Sequence, residues 1–290
     1  MQIPHGGIAF FDSGIGGLTV LSTCEKYIKE GVFYYYGDNK HAPYGNLSSK
    51  KIRRYVFRAF QRFQRLHVQA AVIACNTATA VCIEALRRKF SFPIIGAEPA
   101  VCTAAMKGGK VLVLATRATC ESKRFQGLCE RAQSLFPEAE IYIRACDALA
   151  GEIEKHFGEV TYDYTPHLPH EQADAVVLGC THYIYIVEQI KAFYGCQVYH
   201  GNEGIARRLC NVVEEKNREE RPPRKIFCTK LGWLTTFLKK YKKKCKSINK
   251  YLGTDTQNSV KNNKKASVFF LGNTRENNAN IYKQMFVNNE

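Results

Sequence analysis

The chain has 290 residues, 45% of them hydrophobic, twelve cysteines and a formal net charge of +16. That length accommodates two compact domains with real cores, and no apolar run approaches the roughly 18 residues that cross a bilayer. The N-terminus, MQIPHGGIAFFDSG, lacks the basic and long apolar regions of a secretion signal, so the expected location is the cytoplasm and the cysteines are expected to be reduced thiols. Most of the twelve read as small packing residues. No CxxC pair and no Cys/His cluster with zinc spacing occurs, so neither a structural metal nor a disulfide framework is expected.

In chain order, Gly7–Phe11 reads as a strand that ends in the turn Asp12-Ser13-Gly14-Ile15-Gly16-Gly17, followed by a helix through Leu18–Ile28. Val32–Tyr36 is a second strand, and the loop after it holds Ala42-Pro43-Tyr44-Gly45. A helix runs from Ser48 to about Leu66, with Ser48 or Ser49 as its cap. Ala71–Ala74 is a strand followed by a helix through Ala80–Phe90, and Pro93–Gly96 is a short strand. Lys110–Ala115, Glu140–Arg144 and Ala175–Leu178 are later strands. Strands that alternate with helices predict an α/β chain with largely parallel sheets.

An internal echo organises this pattern. Ala71-Val72-Ile73-Ala74-Cys75 matches Val176-Val177-Leu178-Gly179-Cys180, 105 residues later. Each is an apolar strand ending in a small residue and a Cys. Helix-opening residues follow: Asn76-Thr77 in one copy, Thr181-His182 in the other. Ligands of open α/β sheets bind beyond the carboxyl ends of the strands. Two similar domains facing each other would therefore bring Cys75 and Cys180 to opposite sides of one cleft. The domains expected are 1–98 with a return segment 205–246, and 99–204. A tail, 247–290, is rich in Lys and Asn and reads as solvated. Within it, Ser267–Leu271 is either one last strand or a segment that docks on the body. From Arg221 onward sixteen Lys/Arg face three Asp/Glu, so +13 of the +16 lies there and the preceding 220 residues carry +3. This distribution weakens a nucleic-acid-binding reading of the body.

A lone Cys at a strand end is more often core packing, but a second copy in the same setting points to chemistry. A helix N-terminus is expected to lower the thiol pKa toward neutral. Inverting a stereocentre removes a proton from one face of a carbon and delivers one to the other, which two such thiols can do. Asp12 reads equally as a helix cap and as a site carboxylate. His182 reads as a surface or cap residue, or as a proton partner of Cys180. The spacing Gly14-Ile15-Gly16-Gly17 does not fit the dinucleotide fingerprint.

These stretches, with Tyr36-Gly37-Asp38, Pro43-Tyr44-Gly45, Gly96-Ala97-Glu98-Pro99 and Gly179-Cys180-Thr181-His182, resemble the glutamate racemases of the aspartate/glutamate racemase superfamily, over roughly residues 8–208. The resemblance implies two α/β domains, each a mostly parallel sheet flanked by helices, with the site between them. It implies interconversion of L- and D-glutamate by two cysteines, without pyridoxal phosphate or metal, supplying D-glutamate for peptidoglycan. Cys75 would work on the D-isomer and Cys180 on the L-isomer, assisted by Asp12 and His182. Asp12, Ser13, Tyr44, Gly45, Asn76, Thr77, Thr181 and His182 would hold the substrate, and Glu154 would be an auxiliary carboxylate. Three departures accompany it: Asp147 and Gly151 where the family often has Pro, His200 where it usually has Asp, and the long basic tail. The expected partner is the amino acid, with no membrane. A homodimer stays open, and nucleic-acid binding by the tail is the lesser alternative. A relative acting on aspartate is the alternative enzyme reading.

Overall fold

The computed structural model describes residues 6–28, 30–217 and 265–271. Two all-parallel sheets form the frame. The first, in the order β4-β3-β1-β2-β9, contains β1 (Ile8–Asp12), β2 (Glu30–Gly37), β3 (Ala70–Ile73), β4 (Ile94–Gly96) and β9 (Lys265–Leu271). The second, in the order β6-β5-β7-β8, contains β5 (Gly109–Ala115), β6 (Ala139–Ala145), β7 (Ala175–Gly179) and β8 (Gln197–His200). The helices are α1 (Gly17–Tyr27), α2 (Ser49–Arg65), α3 (Asn76–Lys89), α4 (Val101–Ala105), α5 (Arg117–Cys120), α6 (Lys123–Leu135), α7 (Leu149–Lys155), α8 (Val187–Tyr194) and α9 (Asn202–Asn217).

Both sheets are covered on both faces, which is why their strands read as unbroken apolar runs. On one face of the first sheet Phe10, Phe33, Tyr35 and Val72 pack with Leu18 and Leu21 of α1 and with Ile205 and Leu209 of α9. On the other face Phe11, Tyr34, Tyr36 and Ile73 pack against Ile52, Val56, Phe60 and Phe63 of α2 and Ile83 and Leu86 of α3. The second sheet repeats the scheme. Leu112, Leu114, Val176 and Leu178 meet Leu149, Ile153 and Ile190, while Val111, Val113 and Val177 meet α4 and α6 through Ala104, Phe125 and Ala132. After β8, α9 packs back on the first sheet.

Two details differ from the sequence reading, and one alternative it left open is decided. Ser48 occupies the N-cap position of α2, but its side chain makes no capping bond. The segment after Cys180 opens as a 3-10 helix, Thr181–Ile186, before α8 begins. The Ser267–Leu271 stretch is a true strand: β9 pairs with β2 in parallel from Glu30↔Lys265 to Tyr36↔Leu271. No helix among the described residues is long and apolar enough to cross a membrane.

Candidate active site

The carboxyl ends of β1, β3, β5 and β7 converge. Asp12 ends β1 and is fully buried. Its Oδ1 accepts from the Gly14 N–H at 2.9 Å, and its Oδ2 accepts from the Thr181 hydroxyl at 3.2 Å. Asp12 therefore ties its own turn and bridges to the second sheet, while the N-cap position of α1 is Gly16, with no side-chain capping bond. Complete burial raises its pKa, although His182 and the N–H groups of Gly14 and Gly17 pull it down.

Cys75 follows β3 and caps α3, its Sγ accepting from the Ala78 N–H at 3.4 Å. The expected lowering of its pKa is not found. Burial pushes the thiol up to about 12, and the neighbouring charges of Asp12 and Cys180 add to it. The Ser13 hydroxyl and the Ala78 N–H act in the opposite direction but are outweighed. A helix end offers part of a unit charge, whereas removing a thiolate from water costs several pKa units, so desolvation wins.

Cys180 follows β7. Its Sγ lies 3.7 Å from His182 Nδ1, and His182 Nε2 lies 2.7 Å from Glu154 Oε1, forming a chain Cys180–His182–Glu154. His182 is buried rather than on the surface. Burial alone would lower its pKa, but the hydrogen bonds to Cys180 and Glu154 lift it well above the ordinary 6.5. Glu154, placed by α7, also accepts from the Ile15 N–H at 3.1 Å, so one carboxylate links the glycine turn of the first sheet to the histidine of the second. The Asp147 and Gly151 departures leave it in reach.

The glycine turn fits this closeness. A Cβ on Gly16 would lie 2.8 Å from Thr181 Cβ and 2.9 Å from the His182 nitrogen. One on Gly14 would lie 3.2 Å from His182 Nε2. The glycines are needed for approach between the two halves, not for a phosphate. Tyr35 and Tyr185 latch the turn by donating to the carbonyls of Gly14 and Ile15, at 2.8 and 2.7 Å.

The remaining named residues divide. Thr77 is buried, and its hydroxyl lies 2.9 Å from that of Thr116 and 3.4 Å from that of Thr119. Asn76 is buried, with Oδ1 lacking a partner among the described residues, and it shares a cavity with Cys180, Thr181, Glu98 and His200. The buried Tyr44 turns its hydroxyl to Asp38 Oδ2, at 2.7 Å, which His41 also contacts. Gly45 faces Thr116, which a Cβ would approach to 3.1 Å. Thr116 and Thr119 escape the sequence reading, although Val111-Leu112-Val113-Leu114-Ala115-Thr116 shows the signal already read at Cys75: an apolar strand, a small residue and a polar helix cap. Thr116 does cap α5.

Each sheet thus places a buried thiol at the end of one strand, and a histidine held by a carboxylate stands beside one of them. The family described as Asp/Glu/Hydantoin racemase matches residues 20–209. The chain belongs to this family and is an amino-acid racemase. It is 36% identical over 235 residues to the glutamate racemase of Clostridium botulinum (strain Okra / Type B1), covering 75% of this chain and 90% of that protein. It is 38% identical over 218 residues to the glutamate racemase of Leptospira borgpetersenii, covering 73% and 83%. Among solved structures it is similar to Escherichia coli glutamate racemase in complex with L-glutamate and the activator UDP-MurNAc-Ala. That match has a TM-score of 0.65 and 26% identity, and covers 93% of this chain and 100% of that one.

Proposed function

We propose that this racemase interconverts L- and D-glutamate by a two-base mechanism, Cys180 acting on the L-isomer and Cys75 on the D-isomer, and that its D-glutamate supplies peptidoglycan synthesis. The observation that carries the reading is the pairing of two strand-end thiols, one from each sheet, close enough for the charge of one to raise the pKa of the other. The similarity to glutamate racemases supports the choice of substrate.

In this reading the Thr77, Thr116 and Thr119 hydroxyls and the N–H groups at the helix starts receive substrate carboxylate oxygens. Asn76 Oδ1 and Asp12 accept from the ammonium group. The Cys180 thiolate, facing His182 Nδ1, takes the α-proton of L-glutamate. The protonated Cys75 delivers its own proton to the opposite face, which leaves Cys180 protonated and Cys75 as thiolate. The reverse turnover, or proton exchange with water, restores the start. The raised pKa of Cys75 suits it to hold the proton before delivery. Cationic ammonium beside it lowers the cost of the thiolate when it acts as base. Both transfers use side chains, so the reading asks for no pyridoxal phosphate and no metal.

The test is circular dichroism of each glutamate isomer and each aspartate isomer, with chelator-treated enzyme and no pyridoxal phosphate. Loss of optical activity from both glutamate isomers, with glutamate preferred in kcat/KM, is expected. Equal or better use of aspartate overturns the substrate assignment, and dependence on an added cofactor overturns the mechanism.

A further inference from the structure

The near balance of charge in the first 220 residues conceals a separation. Helix α2 contains Lys50, Lys51, Arg53, Arg54, Arg58, Arg62 and Arg65 and no acidic residue, so it carries +7 of that region's +3 and leaves the rest at −4. All seven are exposed, and none forms an ion pair among the described residues. The opposite face of the helix, from Ile52 to Phe63, is sealed into the core, so the basic face is held rigid. Phe90, after the last turn of α3, packs on Phe57 and Phe60 and brings the exposed Arg88 and Lys89 to the same region. The basic character is therefore not confined to the tail, as the charge count by segment alone would suggest.

We propose that the α2 face binds the phosphate backbone of duplex DNA without sequence preference. At 1.5 Å per residue, Lys51 to Arg65 covers about 21 Å, a length over which a duplex presents about twelve phosphate charges. Five of the seven groups are guanidiniums, which pair with phosphate oxygens bidentately. A membrane surface fits less well, because the apolar side of α2 is buried and nothing is left to insert. Single strands fit less well too: the helix offers no free ring for stacking, since Tyr55 is stacked on His41 at 3.9 Å. A second copy of the same face would meet like charge.

Fluorescence anisotropy of the full chain with short duplexes of two unrelated sequences, titrated with salt, tests this. Binding at about 50 mM salt is expected, similar for both sequences and falling steeply with salt. The variant carrying Lys51→Gln, Arg54→Gln, Arg58→Gln and Arg65→Gln keeps the tail and should keep racemase activity. It should weaken binding at least about tenfold and lower the salt slope by about 0.9 for each phosphate that is no longer neutralised. Arg54→Lys with Arg58→Lys and Arg65→Lys should retain most of the affinity. On the wild type, duplex DNA should protect Lys50 and Lys51 from acetylation, a reading independent of any variant's folding. Absence of binding, unchanged affinity in the neutralised variant, tighter binding of single strands, or binding to anionic phospholipid vesicles without binding to DNA would overturn the proposal.

Discussion

Cys75 and Cys180 differ in what surrounds them, although the chain repeats the same words around each. Cys75 has a backbone N–H and a serine hydroxyl, and burial dominates its titration; Cys180 has a histidine that is itself anchored by Glu154. His182 should therefore remain protonated to higher pH than a free imidazole. A raised folded pKa means that its contribution to stability is fully present below the ordinary 6.5 and is lost as pH rises through the folded value. Glu154→Gln removes one of the bonds that raise it. The alkaline limb of kcat/KM in the L-to-D direction should move to lower pH, with a loss of about ten- to hundredfold, less than a whole proton-transfer group contributes. A pH–rate profile in both directions checks this; an unshifted alkaline limb contradicts it. The repeated strand-and-Cys pattern made both thiols legible from the sequence. The direction of the Cys75 shift was not, because it depends on how much of the fold covers the thiol.

Elements place these groups by meeting across the two sheets. The turn before α1 lies against the 3-10 helix after Cys180, and Gly16 sits where a side chain would strike Thr181 and His182. Gly16→Ala should leave the protein folded but displace His182 from its partners, and a shift of about 1 Å at a reacting group costs on the order of a hundredfold in rate. Kinetics beside a thermal melt checks this: wild-type kcat/KM in a folded Gly16→Ala protein would contradict so close an approach of the two halves. The helices and strands themselves were readable from apolar runs and turn residues. The 3-10 opening after Cys180 was not, since Thr-His at a strand end is compatible with either kind of turn. The use of Gly14 and Gly16 was also hidden, because their neighbours in space lie some 140 to 170 residues away in the chain.

Across the whole molecule, the first sheet is completed from far along the sequence. Strand β9 pairs with β2 through seven positions, and Leu271 packs on the core shared with α2 and α3. Of the two alternatives for Ser267–Leu271 the strand is the one formed, while residues 247–264 and 272–290 lie outside those described. Ending the chain after Leu271 should leave the melting temperature nearly unchanged. Ending it before Lys265 exposes the β2 edge and should lower the melting temperature by several degrees, at about 2–4 °C per kcal/mol lost. Equal melting of the two truncations would contradict a structural role for β9. The second sheet carries Cys180 toward Cys75 of the first, and the proposed chemistry requires both. Its most direct test uses a glutamate analogue with a good β-leaving group, which needs deprotonation on one face only. Cys75→Ser and Cys180→Ser should each lose nearly all racemization, while Cys75→Ser still eliminates from the L-like analogue and Cys180→Ser from the D-like one. Racemization at wild-type rates in either variant, or elimination with the opposite handedness, would contradict the two-thiol account.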